Sequence, residues 1–460
     1  MARGVARRAA ASDPVEGPWE LPDNWRWERL GEVVDLVTAK HKPDHASELE
    51  FVGMDAIPPH TMRLTGTVSF ASLRSAASAF EAGDVLYGRL RPYLNKVWLA
   101  SFPGACSGEL LVLRPRPALH PAYLAYVLHS KGFVDFAAHV VTGDRPRIGF
   151  DTMAVYPVPV PPFEVQQRIT ANIDGLFAEV AEGEAALRRA RSDLETWRKS
   201  LLKAAVTGEL SADWRAANPP EETGADLLAR ILEDRRARWH ADPKTKGKRY
   251  VEPPGPNTTD LAIPPDGWTW ATLPLLGKFG RGKSKHRPRN DPRLYGGEHP
   301  FVQTGVVTSS KGRITTFDQT YSDFGLSQSR LWPRGTLCIT IAANIARTGV
   351  LQFDACFPDS VVGLAPATGV ESEYVELCIR KLQAELEADA PATAQKNINL
   401  ETFEELAILL PPPTEQRTIV STFEEAASGG AMIEEPGLDA QAADLRQSIL
   451  SAAFRGELVE

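Results

Sequence analysis

The stretch from residue 161 to residue 205 constrains the fold most, because it reads as one long helix that needs a partner. Its seam positions, three and four residues apart, are Ile169, Ile173, Leu176, Val180, Gly183, Leu187, Ala190, Leu194, Trp197 and Leu201. This alternation is the seam of a coiled coil. Charged residues occupy the other faces, and a single helix with so narrow an apolar stripe cannot bury it alone. We therefore predict that it pairs with a second helix in the last fifty residues.

The chain also repeats itself. Trp25 and Trp27 of LPDNWRWERLG recur 243 residues later in IPPDGWTWATLP, and the segment SLLKAAVTGEL at 200–210 recurs as SILSAAFRGEL at 448–458. Between these anchors, the P-P-x-x-x-Q-x-x-I motif that begins at Pro161 recurs at Pro411. A nearly constant offset across three segments predicts a tandem pair of half-molecules, each with a globular domain followed by a long helix.

Within each half, short β-branched and aromatic runs separated by Gly, Pro and Asp predict strands, and residues 120–130 and 372–387 predict one helix each. The predicted fold class is α+β, with two mixed α/β domains separated by a pair of long antiparallel coiled-coil helices in a pseudo-two-fold internal repeat. The predicted segments are a first domain at 1–160, a first long helix at 161–215, a short helix and linker at 216–262, a second domain at 263–410 and a second long helix at 411–460.

The second long helix differs from the first. Pro436 and Gly437 interrupt its seam, which resumes in altered phase at Leu438, Ala442, Leu445, Ile449 and Ala452. We expect a kink or a short loop there. Antiparallel pairing of the two long helices would place the domains at opposite ends of a rod about 50 Å long. Such a rod suits two DNA half-sites separated by about one helical turn, roughly 34 to 36 Å.

Composition narrows the function classes. The formal net charge of the 460 residues is −8, which disfavours indiscriminate nucleic-acid binding but leaves local basic surfaces open. No run of about 18 apolar residues and no signal peptide is evident, so we expect a cytoplasmic protein without membrane insertion. The four cysteines are too widely spaced for a zinc half-site, and we expect buried free thiols.

Three segments partly match catalytic or nucleotide-binding motifs, but the residues around them do not fit those motifs. Gly277–Ser284 matches the letters of a phosphate-binding loop, but Pro288 and Pro292 follow where that loop must open a helix. Asn218-Pro219-Pro220-Glu221 has Glu221 in place of the aromatic residue of an amino-methyltransferase motif, and Pro358-Asp359 lacks the acidic and lysine residues of a nuclease site. The nine histidines show no metal-binding spacing. We therefore predict no catalytic residues and no metal site.

Local basic charge is the remaining functional signal, since loops rich in Lys and Arg follow DNA phosphates and Arg, Asn and Gln read bases. The candidate DNA-binding residues are Arg89, Arg91, Tyr93, Lys96, Arg145 and Arg147 in the first half and Lys283, Lys285, Arg287, Arg289, Gln303, Lys311, Gln395, Lys396 and Asn397 in the second. A solvated charged loop is an alternative interpretation of any one cluster. The paired tryptophans fit a domain core better than base stacking.

The chain as a whole resembles the DNA specificity subunits of type I restriction-modification enzymes. The resemblance covers about residues 20–460 and rests on the order of the two W-x-W starts, the GDVLYGRLRPYLNK and GTLCITIAANIARTG segments, the P-P-x-x-x-Q-x-x-I helix starts and the AAVTGEL and AAFRGEL helix ends. It implies a non-catalytic protein in which two target-recognition domains read the halves of a bipartite double-stranded DNA site. The break at Pro436-Gly437 departs from the usual continuous second helix.

The resemblance also implies partners and cofactors. In the family, the helices dock two modification subunits that bind S-adenosylmethionine and methylate adenine, and restriction subunits add translocation and cleavage with ATP and Mg. This chain itself is expected to bind no cofactor. The alternative hypothesis is a coiled-coil scaffold whose globular domains bind protein rather than DNA, and a diverged methyltransferase or nuclease comes third.

Overall fold

The computed structural model describes residues 15–42, 48–342, 344–388, 399–429 and 437–458. The chain divides into two compact units. Unit 1 comprises Met1–Arg189 together with Glu435–Glu460, and unit 2 comprises Ala190–Glu434. The division runs through the longest helix, so each unit contains one part of it.

The first half of the chain alternates short strands with a few helices. The strands are β1 (Arg26–Arg29), β2 (Val34–Leu36), β3 (Lys40–His41), β4 (Glu50–Val52), β5 (Val68–Ser69), β6 (Ala77–Phe80), β7 (Val85–Gly88), β8 (Val97–Leu99), β9 (Gly104–Cys106), β10 (Leu110–Pro115) and β11 (Pro157–Val160). The helices are α1 (Leu30–Val33), α2 (Pro121–His129), α3 (Lys131–His139), α4 (Phe150–Met153), α5 (Phe163–Thr207), α6 (Ala212–Ala217) and α7 (Gly224–Ala241).

The second half repeats this plan. Its strands are β12 (Thr269–Thr272), β13 (Gly277–Arg281), β14 (Tyr295–Phe301), β15 (Gly312–Ile314), β16 (Gln319–Tyr321), β17 (Leu331–Trp332), β18 (Leu337–Thr340), β19 (Thr348–Leu351), β20 (Ala355–Cys356), β21 (Val361–Pro366) and β22 (Ala407–Leu410). Its helices are α8 (Leu273–Leu276), α9 (Thr304–Ser309), α10 (Asp323–Ser327), α11 (Ser372–Ala388), α12 (Leu400–Glu404), α13 (Pro413–Ala427) and α14 (Leu438–Arg455).

The two units have similar sheet topologies, although β3 at one sheet edge of unit 1 and β15 at one sheet edge of unit 2 have no counterpart in the other unit. In unit 1, β1 pairs with β11, and further sheets have the orders β2-β10-β7-β8 and β3-β6-β9-β4-β5. In unit 2, β12 pairs with β22, and further sheets have the orders β13-β21-β18-β19-β15 and β16-β14-β20-β17. Each W-x-W motif lies in the first strand of its domain: Trp27 lies opposite Pro159 in the first strand pair, and Trp270 lies opposite Leu409 in the second. The predicted α+β fold class and internal repeat are confirmed.

A buried tyrosine ties the helix of each domain to this strand pair. Tyr123 of α2 donates a hydrogen bond of 2.8 Å to the carbonyl of Pro159, and Tyr374 of α11 donates one of 2.9 Å to the carbonyl of Leu409. Both side chains are fully buried. The equivalent bonds fix the helix against the strand that leads into α5 in unit 1 and into α13 in unit 2.

In each unit, the long helices run antiparallel. In unit 1, Asn172 of α5 donates to the carbonyl of Leu458 at 2.8 Å, and Glu184 of α5 accepts two hydrogen bonds from Arg446 of α14 at 2.7 and 2.9 Å. Contact positions therefore rise along α5 while they fall along α14. In unit 2, Ser211, just beyond α5, donates to Glu415 near the start of α13 at 2.7 Å. Antiparallel pairing is what the sequence predicted.

Both helix ends use a glycine for the same reason. Gly208 and Gly456 follow α5 and α14 with φ of 83° and 84°, a conformation that costs glycine little. A Cβ on Gly208 would lie 3.0 Å from Cγ of Pro265, and one on Gly456 would lie 2.5 Å from Cγ of Pro22. The recurring G-E-L ends thus pack against the recurring proline that starts each domain.

Some details of the sequence prediction need correction. The β-branched run HPFVQTGVV at 299–307 predicts a strand, but β14 ends at Phe301 and α9 begins at Thr304. Trp197 and Leu445, assigned to the helix seams, are 42% and 51% exposed, whereas Leu450 and Phe454 of α14 are buried. The buried face of α14 therefore runs in a different phase from the predicted seam, because it packs against the core of the first domain, where Phe454 contacts Tyr123 of α2. The predicted break falls between α13 and α14; Pro436 lies outside the described residues, and Gly437 precedes α14 with φ of 130°.

The predicted thiols are confirmed, since all four cysteines are free and buried. Among the helices in the described ranges, none is long and apolar enough to cross a membrane.

Candidate nucleic-acid interface

The basic residues of unit 1 meet because two loops distant in sequence are joined through their backbones. The amide of Arg91, which follows β7, donates to the carbonyl of Pro146 at 2.8 Å, and Leu90 forms an isolated bridge with Arg147. Arg91 has φ of 52°, so its backbone turns sharply here. Arg91, Arg145 and Arg147 are all exposed, and Tyr93 is 46% exposed. The structure thus places four of the predicted residues on one pair of adjoining loops.

Arg147 already has an acidic neighbour in this group. Its guanidinium donates to both carboxylate oxygens of Glu109, with distances of 2.9 to 3.2 Å. Hydrogen bonding from Arg147 is the largest cause that lowers the pKa of Glu109, and the charges of Arg147 and Arg89 act in the same direction. Glu109 therefore neutralises part of the basic surface of unit 1.

The other two predicted residues of unit 1 lie deeper. Lys96 is 9% exposed, and its ammonium donates to the carbonyl of Met54 at 2.9 Å. Arg89 is half-buried, with its Nε shielded from solvent. Backbone bonds tie Arg89 to Glu109 and Ile148 at 2.9 and 3.0 Å. Both residues support the loops rather than present charge at the surface.

In unit 2, the basic segment forms the connection between β13 and β14. Lys283 is half-buried, and Lys285, Arg287 and Arg289 are exposed. Repulsion from the charge of Lys285 is the largest cause that lowers the pKa of Lys283, and Arg330 contributes in the same direction. Arg330 was not predicted from the sequence, because it lies 47 residues further along the chain and only the fold brings it here. The fold therefore brings Lys283, Lys285 and Arg330 close together.

Arg287 and Arg289 are more constrained than the lysines. Nη1 of Arg287 donates to the carbonyls of Ser284 and His286, each at 2.8 Å, so the side chain folds back on its own loop. Nη2 of Arg289 pairs with Asp359 at 3.0 Å. Arg287 therefore helps to shape the connection, and the charge of Arg289 is partly offset by Asp359.

The remaining predicted residues of unit 2 lie elsewhere in the unit. Gln303 is exposed at the start of α9, and its amide donates to Gln319 at 2.8 Å. Lys311 is exposed, has φ of 50°, and lines a groove with Arg198 and Phe423. Gln395, Lys396 and Asn397 lie outside the described residues.

The structure leaves no phosphate loop at 277–284. Gly277–Arg281 is strand β13, paired antiparallel with β21, and the described part of the chain contains no α-helix after Ser284 until α9. Across the same described ranges, no three His, Cys, Asp or Glu side chains gather as metal ligands. Trp268 is 6% exposed and belongs to the core of unit 2, in agreement with the preference for a core role.

Sequence reasoning missed a buried carboxylate that joins the parts of unit 2. Glu415 is 1% exposed and accepts hydrogen bonds from Ser211 at 2.7 Å, Arg215 at 2.8 Å and Trp268 at 2.9 Å. These donors come from the segment after α5 and from the W-x-W motif. In the sequence, Glu415 looks like an exposed acidic residue in the first turn of a helix, where such residues are common. Its burial could not be predicted, because its partners lie more than 140 residues away.

Comparisons with known proteins agree on one family. A model of the type I restriction modification DNA specificity domain matches residues 22–186 and again residues 265–436. The specificity subunit of the type I restriction enzyme EcoDI from Escherichia coli is 29% identical over 232 residues, which cover 50% of this chain and 52% of that protein. The match thus spans about half the length of that relative. The EcoEI specificity subunit, also from Escherichia coli, is 21% identical, with coverage of 89% and 79%.

Solved structures show the same fold. The crystal structure of the HsdS subunit from Thermoanaerobacter tengcongensis aligns with a TM-score of 0.62 and 22% identity over 96% of this chain and 99% of that one. A chain from a structural study of complex assembly and conformational transition in a type I R-M system aligns with a TM-score of 0.70 and 21% identity over 96% and 100%. The likeness extends over nearly the full length of the chain.

Proposed function

This chain belongs to the type I restriction modification DNA specificity family, and we propose that it recognises a bipartite DNA sequence on behalf of partner enzymes without catalysing a reaction itself. The proposal assigns one part of the target to each unit. The domain that precedes α5 would read one half-site, and the domain that precedes α13 would read the other. Because the domains differ in their loops, the two half-sites are expected to differ in sequence.

The observation that carries this proposal is the exposed positive charge on both units of a chain that is acidic overall. Unit 1 gathers Arg91, Arg145 and Arg147 from two loops, and unit 2 holds Lys283 and Lys285 so close that their charges repel. Such clusters attract the DNA backbone and release its counterions. A scaffold that binds protein would not require exposed cations on both domains of a duplicated fold.

The duplication supports the bipartite form of the target. Each unit repeats the same strand pair and the same buried tyrosine contact. DNA-binding proteins with repeated recognition modules bind half-sites whose spacing follows the spacing of the modules. We therefore infer that the length of the target is set by the helices rather than by the loops.

Partners would supply the chemistry. We propose that two modification subunits carrying S-adenosylmethionine dock on this chain and methylate adenine, and that restriction subunits using ATP and Mg join the same complex in the cytoplasm. In this assembly the present chain would contribute the sequence choice and no reacting group.

A reconstitution tests the proposal. The full chain is expressed with and without the modification subunit of its own system in a host that lacks adenine methylation, and methylated adenines are mapped in the genome. We expect methylation only with both proteins, confined to one sequence with two defined parts and an unspecified spacer. Methyl transfer by the chain alone, or methylation without a two-part motif, would contradict the proposal.

A further inference from the structure

Three cations of unit 2 lie close together without an acidic partner among the described residues. Lys283 and Lys285 lie in the connection after β13, and Arg330 lies just before β17. Within the described part of the chain, none of the three forms an ion pair. The nearby acids have other partners: Asp291 pairs with Arg293 at 2.7 Å, and Asp359 pairs with Arg289. Like charges gathered without a counter-ion raise the free energy of the unbound protein and favour an anionic ligand.

The backbone holds these residues together. The amide of Lys283 donates to the carbonyl of Phe357 at 3.0 Å, and the amide of Lys285 donates to the carbonyl of Gln328 at 3.2 Å. The hydroxyl of Ser329 donates to the carbonyl of Lys283 at 2.7 Å. The connection therefore runs beside residues 328–330. The proximity of Arg330 to the lysines is fixed by hydrogen bonds rather than by chance orientation of long side chains.

Gly282 makes this close approach possible. A Cβ at position 282 would lie 2.3 Å from the carbonyl oxygens of both Phe357 and Pro358, a distance that real side chains do not reach. Its amide donates to the carbonyl of Val361 at 2.8 Å. The glycine thus lets the chain press against residues 357–358 immediately before the first cation of the set.

A buried tryptophan positions the guanidinium. Cζ of Arg330 lies 5.5 Å from the ring centroid of Trp332, and Nζ of Lys278 lies 5.3 Å from the same ring. Trp332 is fully buried and stacks on Phe357 with a centroid distance of 5.1 Å and an interplanar angle of 21°. Because the cation-π contact restricts Arg330, less side-chain entropy is lost when the guanidinium binds a ligand.

We propose that Lys283, Lys285 and Arg330 form one phosphate-binding site for the backbone of duplex DNA, with Trp332 as the residue that positions Arg330. The inference rests on the proposed DNA recognition and adds to it a contact that is independent of base sequence. The site would fix the register of unit 2 on the duplex, while other loops of the unit read bases. Three cations on one phosphate are expected to act together rather than as three separate contacts.

The first test measures DNA affinity of the full chain in complex with its modification subunit. Arg330→Gln is compared with Arg334→Gln, a matched loss of charge at an exposed residue four positions away. We expect Arg330→Gln to weaken specific and non-specific duplex binding by a similar factor, about 5-fold to 10-fold, and Arg334→Gln to leave both within about 2-fold. Because the site holds a single phosphate, the triple variant Lys283→Gln, Lys285→Gln, Arg330→Gln should reduce the slope of log K against log salt by about 1.

The second test reads the site without relying on affinity. The charge of Lys285 lowers the pKa of Lys283, so a larger fraction of this amine is unprotonated and reactive. Mass spectrometry should therefore find Lys283 labelled faster than Lys248 in reductive methylation at limiting reagent. The Arg330→Gln change should slow this labelling. A 30-base-pair duplex should protect Lys283, and inorganic phosphate at the same concentration of phosphate groups should not.

These experiments distinguish failure of the proposed phosphate site from failure of the proposed DNA recognition. If the wild-type complex shows no sequence preference, the proposed function fails. If it does show one, but Arg330→Gln behaves like Arg334→Gln or the triple variant lowers the salt slope by about 3, the single-phosphate site is wrong. Equal protection of Lys283 by inorganic phosphate would identify a free-anion site and would also overturn the assignment to DNA.

Discussion

Gln166 and Gln416 occupy equivalent places in the two units and make the same three hydrogen bonds. Gln166 accepts from the amide of His120 at 2.7 Å and donates to the carbonyls of Ala118 and Pro161 at 2.9 and 2.8 Å. Gln416 accepts from the amide of Glu371 at 2.9 Å and donates to the carbonyls of Gly369 and Pro411 at 3.2 and 2.9 Å. Both side chains are fully buried. The glutamine of the P-P-x-x-x-Q motif thus joins the start of a long helix to the loop before the domain helix.

Replacement of this glutamine should destabilise the unit that contains it. Gln166→Ala leaves one amide and two carbonyls without partners in a buried place, and we expect a loss of about 3 kcal/mol in the free energy of unfolding. Chemical denaturation followed by far-ultraviolet circular dichroism measures the change. Gln167→Ala is the matched control, because Gln167 is the same residue type one position further along α5 and is exposed. Equal stability of the two variants would show that the buried bonds are not important.

Removal of the acid that faces Arg147 should strengthen DNA binding by unit 1. In Glu109→Gln, the ion pair that Glu109 forms with Arg147 at 2.9 Å is lost. Arg147 then becomes available to DNA, and a carboxylate that would repel the phosphates is removed from the candidate surface. We expect an increase in non-specific duplex affinity of about 3-fold to 10-fold at low salt, which declines as salt is raised. Fluorescence anisotropy with a labelled duplex measures it. The double variant Glu109→Gln, Arg147→Gln serves as control, and persistence of the gain in that variant would contradict a role for Arg147.

Arg145 should contribute one phosphate contact or one base contact in unit 1. It is exposed on the loop that meets the loop of Arg91. If Arg145 binds a phosphate, the Arg145→Gln variant should lower the slope of log K against log salt by about 1 for all sequences. If Arg145 reads a base, the variant should lose about 1 to 3 kcal/mol of binding free energy for the specific site alone. Titrations with specific and scrambled duplexes at several salt concentrations distinguish the two. Arg74→Gln, at another exposed arginine of unit 1, should change neither quantity; a loss of the same size in both variants would argue against this loop.

Stability of unit 1 should depend on His129. Burial, with smaller contributions from the charges of His60 and Arg446, lowers the pKa of His129 to about 4. Because the folded state disfavours the proton, the unfolded chain binds it first as pH falls. The stabilisation is fully present above about pH 6.5 and is lost as pH drops towards 4, by roughly 3 kcal/mol in total. Unfolding free energies measured between pH 7 and pH 4 should fall more steeply for the wild type than for His129→Leu.

The exposed His139 provides the comparison for this prediction. It has the same ring on α3 but is in contact with solvent. His139→Leu should retain the pH dependence of the wild type over the same interval. If His129→Leu and His139→Leu give the same slope, the pH dependence arises elsewhere in the unit.

Much of the architecture follows from local patterns in the sequence. The heptad spacing from Ile169 onward predicted a long helix with a partner helix, and the recurring W-x-W, P-P-x-x-x-Q and G-E-L segments predicted a duplicated fold. The heptad spacing and the repeated segments can be recognised in the sequence because each reflects contacts that recur at a fixed spacing along the chain. The same reasoning identified the basic connection after β13, since a run of Lys and Arg among Gly and Pro can only lie at the surface.

The tertiary structure decided how each charged or polar residue is used. Lys96 and Arg147 look alike in the sequence, yet one donates to a buried carbonyl and the other pairs with Glu109 at the surface. Arg330 joins the lysines only because backbone bonds bring residues 328–330 beside 283–285. Solvation and electrostatic interactions depend on distances between groups far apart in the chain, and these distances exist only once the chain has folded.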